Sequence, residues 1–215
     1  MKVTILTLFP EIFLPFINTS ILKRAQDKNL IDITLVSIRD FADDRYKTVD
    51  DRPYGGGVGM IMRVDILYKA LESVKVKGKK RVKERIILLD PKGERFNQKK
   101  AKELAKLDHL ILICGHYEGI DARTQRYVDE IISIGDYVLT GGEIPALAIT
   151  DSVVRLIAGV LPKGATKLET FEEGRFEYPQ YTRPRIFRGQ KVPEVLLSGN
   201  HKEIETWRKS RQKKI

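Results

Sequence analysis

Two stretches, "RIILLD" (85–90) and "HLILIC" (109–114), consist almost wholly of branched apolar side chains. A strand with one face in water alternates apolar with polar residues, so strands that do not alternate must be covered on both faces. Between them lies "NQKKAKELAKL", whose apolar residues recur at helical spacing behind Asn97, a residue suited to capping a helix. Strand, helix, strand in this order implies a parallel sheet with helices on both faces.

The rest of the first 160 residues extends the pattern. "KVTILTL" and "IDITLVSI" read as strands, Pro10–Gln26 as one amphipathic helix opened by proline, and "RVDILYKALESV" as a second helix. After Cys114 come a helix-like segment, a short strand "EIISIG", and a long apolar helix from about Glu143 to Ala158. Residues 161–181 lack apolar periodicity and read as a linker or ordered loop. Residues 182–215 read as a small basic helical domain, with Ser198 or Asn200 capping a helix that starts near His201.

The net charge of +10 is concentrated. Residues 75–85 hold seven bases and one acid, and residues 175–215 hold eleven bases and four acids, so the remainder is slightly acidic. Basic segments on an acidic body suit a polyanion, and Tyr178, Tyr181, Phe187 and Trp207 among the C-terminal arginines add faces on which bases can stack. Solvated loops and helix faces would give the same charge, so aromatics rather than charge turn the reading toward RNA. No apolar run is long enough to span a bilayer, and the N-terminus lacks a small-residue cleavage site; a cytoplasmic chain is expected.

Several chemistries lose their support. "DDRPYGGGVGM" (50–60) is glycine-rich but lacks the Lys-Ser/Thr of a phosphate-binding loop, and no G-x-G-x-x-G follows the first strand. Three scattered histidines and one cysteine cannot build a structural zinc site, and Cys114, inside an apolar run, reads as a core residue. Ligands in parallel α/β sheets bind at the carboxyl ends of strands. Three such ends carry glycine: "LDPKGE", "CGHYEGID" and "SIGDYVLTGGE". Together they suggest a small-molecule pocket.

The blocks "LTLFPEIF", "DDRPYGGGVGM", "CGHYEGID", "ISIGDYVLTGGEIPALAITDSVVRLIAGVL", "YTRP" and "LLSGNH", in this order, resemble the bacterial tRNA (guanine-N1)-methyltransferases of the SPOUT trefoil-knot superfamily. The resemblance implies a deep trefoil knot following the parallel sheet, a homodimer, and methyl transfer from S-adenosylmethionine to N1 of the tRNA guanosine immediately 3′ of the anticodon. Matching positions place the cofactor against Leu89, Pro91 and Gly93 on the first loop and Gly115, Tyr117 and Glu118 on the second. On the third they are Ser133, Ile134, Gly135, Asp136, Tyr137, Val138, Leu139, Gly141, Gly142 and Pro145. The tRNA side falls on Asp50, Asp51, Arg52, Tyr54, Gly55, Arg183, Asn200 and His201.

Neutral guanine holds a proton on N1, so transfer there needs a base and a cation facing O6. The resemblance assigns these roles to Glu169, in "LETF" where the family has aspartate, and to Arg155, in "DSVVR"; Glu172 and Glu173 are rival bases. Val58 replaces a proline common in relatives, and the chain stops soon after the basic helix, which predicts a short tRNA-binding domain. The residues leave the need for Mg²⁺ open and nominate no metal ligand. A non-catalytic RNA-binding module and a same-fold enzyme methylating a ribose hydroxyl remain as alternatives.

Overall fold

The computed structural model describes residues 1–76, 82–166, 169–171 and 174–214. The chain divides into two compact units, Met1–Leu161 and Pro162–Ile215.

In chain order the first unit comprises β1 (Lys2–Thr7), α1 (Leu14–Ile17), α2 (Ser20–Asp27), β2 (Asp32–Ser37), β3 (Asp50–Asp51), β4 (Ile61–Met62) and α3 (Val64–Val74), then β5 (Glu84–Arg95), α4 (Gln98–Leu104), β6 (His109–Cys114), β7 (Glu130–Ser133) and α5 (Glu143–Val154). Five strands form one sheet in the order β2-β1-β6-β5-β7, and every pairing in it is parallel. β3 and β4 pair separately as an antiparallel hairpin.

The unbroken apolar runs are explained by two packed layers. From β5 and β6, Ile87, Leu89, Leu110, Leu112 and Cys114 face one way and meet Leu22 and Ala25 of α2, Ala101 and Leu104 of α4, and Ala146, Ile149, Val153 and Val154 of α5. Their alternates Ile86, Leu88, Ile111 and Ile113 face the other way, against Ile66, Leu67, Ala70 and Leu71 of α3. Those four are neighbours on one stripe of a helix, as an amphipathic helix on a sheet requires. Every residue of β6 is buried. Burying an aliphatic side chain contributes about 1.5–3 kcal/mol, so this central strand carries a large share of the driving force. Asn97 caps α4 by accepting from the Lys100 N–H at 3.0 Å.

Three elements depart from expectation. The expected helix Pro10–Gln26 is broken into a 3-10 turn, α1 and α2. At the break Thr19 is extended, and its hydroxyl donates to the carbonyls of Pro15 (2.9 Å) and Phe16 (3.1 Å). The polar trio Asn18, Thr19 and Ser20 thus competes for the backbone groups that a continuous helix would use. The expected end of β5 at Asp90 is also wrong: the strand runs to Arg95, and its register against β7 shifts between Leu89 and Glu94. Residues 90–93 bulge from a strand that β7 continues to pair. The helix expected to reach Ala158 stops at Val154 and tightens into turns before Gly159, whose φ is +90°.

The second unit contains β8 (Arg175–Phe176), β9 (Ile186–Phe187), β10 (Gln190–Lys191), α6 (His201–Arg211) and β11 (Lys213–Lys214). It is not wholly helical. β9 and β10 form a hairpin, and β8 pairs with β11, so residues expected in the linker take part in this unit. Asn200, not Ser198, caps α6, accepting from the Glu203 N–H. Among the described residues of this unit none is buried.

At the amino end of β6, buried His109 sits between Thr4 Oγ1 at 2.8 Å and Glu84 Oε2 at 2.7 Å. A neutral ring satisfies both, with Nδ1–H donating to the carboxylate and Nε2 accepting from the hydroxyl. Burial holds this imidazole below its usual pKa, against the opposing pull of Glu84. The unfolded chain therefore binds the proton more readily than the folded one, and stability present above about pH 6.5 is lost as pH falls below that value. Thermal melts between about pH 7 and about pH 5 should show a decline that is shallower in His109→Asn.

Candidate active site

The bulge of β5 and the carboxyl ends of β6 and β7 converge on one cleft of about 210 Å³. Its walls are residues 89–92, 115–120, 132–135 and 137–142, with Pro145 from α5.

The second and third loops are fastened by a backbone contact. Gly142 N–H donates to the Gly115 carbonyl at 2.8 Å, and His116 and Gly141 form an antiparallel bridge. A β-carbon on Gly142 would stand 2.6 Å from Cys114 Cα and 2.9 Å from Gly115 N. These are backbone atoms at the end of the buried central strand and cannot yield. Glu143, the first residue of α5, is buried nearby and accepts a 2.8 Å hydrogen bond from the Thr7 hydroxyl at the end of β1. A carboxylate suits a helix N-terminus, where unpaired N–H groups carry partial positive charge.

The Ser133 hydroxyl donates to the Gly135 carbonyl at 2.9 Å and folds the start of the third loop on itself. Tyr117 holds a left-handed backbone, φ +58°, and its hydroxyl accepts from Arg39 at 3.4 Å. Such a conformation costs a non-glycine residue about 1–3 kcal/mol and is found where the surroundings enforce it, often at functional sites. Burial, with the charge of Glu143 beside it, pushes the Cys114 thiol well above its usual pKa. A protonated thiol is a poor nucleophile, in keeping with a packing role.

Of the nominated cofactor residues, Leu89, Pro91, Gly115, Tyr117, Glu118, Ser133, Ile134, Gly135, Tyr137, Val138, Leu139, Gly141, Gly142 and Pro145 are brought together in the cleft wall. Gly93 and Asp136 are not. Gly93 lies against the backbone of Ile131 and Ile132, where it lets β7 pair beside the bulge, and Asp136 forms an ion pair with Arg95. The wall also includes Asp90, Lys92, His116, Gly119, Ile120, Ile132 and Thr140, which sequence reasoning missed. All but Ile120 adjoin or lie between nominated positions, and Ile120 is two residues beyond Glu118 in the same loop. Among the described residues buried Nδ1 of His116 has no hydrogen-bond partner, and its ring stands edge-on to Phe9 and Tyr117 at 5.1 and 5.0 Å.

The remaining nominated residues lie elsewhere. Asp50, Asp51, Arg52, Tyr54 and Gly55 belong to the β3–β4 hairpin, which contributes nothing to the cleft wall. Arg155 is half-buried at the C-terminus of α5. In the second unit Glu169 is half-buried in a turn anchored by Phe171 N–H to the Arg175 carbonyl and by Glu177 N–H to Thr170 Oγ1. Glu172 and Glu173 lie outside the described residues. Arg183 and His201 are exposed, and the side chain of Asn200 serves α6 as its cap. Arg208 lies over Tyr178 at 5.1 Å, Arg188 over Phe187 at 5.5 Å and Arg211 over Trp207 at 6.0 Å. Among the described residues no cluster of three or more His, Cys, Asp or Glu is arranged to hold a metal ion, and no helix is long and apolar enough to cross a membrane.

The φ of Gly142 is −80°, a value open to any residue, so alanine there tests packing alone. Gly142→Ala should destabilise the protein by about 1–3 kcal/mol, the cost of forcing a methyl group into a filled site. Urea denaturation would register this as a lower midpoint at an unchanged slope.

Residues 1–215 match the family model described as tRNA (Guanine-1)-methyltransferase TrmD. A protein of Carboxydothermus hydrogenoformans is 56% identical over 211 residues, covering 97% of this chain and 81% of its own length. One of Geobacillus kaustophilus is 56% identical over 97% of this chain and 85% of its own, and one of Dictyoglomus turgidum is 52% identical over 97% and 84%. All three are named tRNA (guanine-N(1)-)-methyltransferase. With a match along its whole length and relatives above half identity, the chain belongs to the tRNA (guanine-1)-methyltransferase TrmD family.

Proposed function

We propose that the protein is a cytoplasmic, homodimeric enzyme that transfers a methyl group from S-adenosylmethionine to N1 of the guanosine immediately 3′ of the anticodon in tRNA. The observation that carries this reading is the convergence of the β5 bulge and the glycine-bearing loops after β6 and β7 on one cleft in a chain of this family. The cleft suits the cofactor. Ile120, Ile132, Ile134, Val138, Leu139 and Pro145 offer apolar contact for an adenine, and glycine backbone along the second and third loops can meet its ring nitrogens. Asp90 and Glu118 add carboxylates for hydroxyl, amino or sulfonium groups, and the unpartnered Nδ1 of His116 is a further polar contact. When bound, the cofactor supplies an electrophilic methyl carbon.

The protein's own residues prepare the acceptor. Glu169 would take the proton from N1 and leave the nitrogen lone pair free as the methyl acceptor. The charge that then develops on O6 is met by the guanidinium of Arg155. Glutamate reaches one methylene further than the family's aspartate while performing the same transfer. A deep trefoil knot fits the path of the third loop. That loop leaves β7 at the sheet edge, makes the Gly142 contact just beyond the end of β6, and delivers α5 to the layer beneath the sheet.

Tyr137, Val138, Leu139 and Ile144 leave apolar surface exposed around the cleft, as the rim of a site shared with a second subunit would. Stacked arginines on the second unit suit the tRNA backbone and its unpaired bases.

Labelled S-adenosylmethionine offered with two tRNA transcripts, carrying guanosine or adenosine after the anticodon, should label only the first. Transfer to both or to neither would overturn the reading; tRNA binding indifferent to the cofactor would indicate a non-catalytic RNA-binding module. Glu169→Gln should keep cofactor affinity and lower single-turnover methyl transfer about 10²- to 10⁴-fold, the range for loss of a general base.

A further inference from the structure

The β3–β4 hairpin supplies no residue of the cleft wall, yet it is sewn to a loop that does. Glu118 N–H donates to the Met60 carbonyl at 3.0 Å, Met62 N–H to the Gly119 carbonyl at 3.0 Å, and Asp121 N–H to the Met62 carbonyl at 3.1 Å. Met62 and Ile120 form a parallel bridge. Four glycines crowd the tip, all with left-handed φ: +84° at Gly55, +82° at Gly56, +132° at Gly57 and +85° at Gly59. Their surroundings differ. A β-carbon on Gly55 or Gly56 would meet nothing within 4 Å, and one on Gly57 would make ordinary contact with Pro53 at 3.6 Å. On Gly59 it would stand 2.3 Å from Glu118 Cγ and 2.8 Å from Glu118 Oε1. All four glycines answer to the turn, and the fourth answers to Glu118 as well.

We propose that Gly59 is a positioning residue for the cofactor cleft, holding the Glu118 carboxylate in the wall by leaving no side chain between hairpin and loop. Glu118 rests on the Cα of Gly59 while the backbone bonds at Met60 and Met62 fix the height of its own loop. Any side chain at 59 turns the carboxylate aside without touching the ligand. Tyr54 and Val58, at 99% and 93% exposure, stand free at the tip, so a substrate pressing on the hairpin shifts Glu118 through the same contact. Coupling of this kind is reciprocal: a cofactor that fixes Glu118 also fixes the hairpin.

The inference rests on the reading that the cleft holds S-adenosylmethionine, and titration calorimetry with that compound separates the two. Gly59→Ala and Gly56→Ala pay the same backbone strain, but only the first meets Glu118. Gly59→Ala should weaken S-adenosylmethionine binding about tenfold or more, and Gly56→Ala less than about twofold. In a Glu118→Ala background, Gly59→Ala should cost less than about twofold further, since the clash is gone. Equal losses in the two glycine variants, an undiminished cost in the Glu118→Ala background, or no loss in Gly59→Ala would each overturn the inference and leave the cofactor reading intact. A wild-type chain that fails to bind S-adenosylmethionine would overturn both. Should Gly59→Ala alone not fold, the double variant with Glu118→Ala must fold with the thermal midpoint of Gly56→Ala for the inference to stand.

Discussion

The architecture of the site depends on one close approach, that of Gly142 to the end of the buried central strand. A 2.8 Å hydrogen bond to Gly115 and a contact that excludes even a methyl group bring the third loop back across the sheet. From there α5 begins with its first carboxylate already bonded to Thr7 of β1. Loosen that approach and three consequences follow together: the third loop leaves the cleft wall, Glu143 loses its place, and the apolar stripe of α5 no longer meets β6. Interiors packed to crystal-like density transmit such changes rather than absorb them.

Much of the first unit was legible because its signals are local and redundant. Leu110, Leu112 and Cys114 on one face and Ile111 and Ile113 on the other need cover from two sides, and the sequence supplies helices for both. What could not be read was decided by partners far along the chain. "DPKGE" has the composition of a turn, and only pairing with β7 keeps Glu94 and Arg95 in a strand. The break after Asn18 was available in principle, since Asn, Thr and Ser in a row cap and turn rather than propagate a helix. In the second unit, strand pairs two residues long carry no periodic signal, and β8 finds its partner almost forty positions away in β11.

For the candidate site, the loops were legible as places and less so as residues. Glycine marked the three loops as places where backbone comes close, and the family resemblance, not residue type, supplied the fourteen nominated positions that stand in the wall. Gly93 carries the same mark for another reason, since it makes room for β7 rather than for a ligand. His116 and Ile120 were passed over because neither residue type stands out by itself; their place in the wall comes from the bridges to Gly141 and Met62. The glycine-rich hairpin shows the converse, a conspicuous motif whose members turn out to have separate physical causes.

The stacked arginines of the second unit bear on the entropy of association. A long cationic side chain that is frozen only on binding costs about 0.5–1.5 kcal/mol in lost rotamers. Arg188, Arg208 and Arg211 already rest over aromatic rings, so part of that ordering occurs during folding. In a unit with no buried residue among those described, these pairs make preorganised charge the principal product of its local structure, where another small domain would have a dry interior.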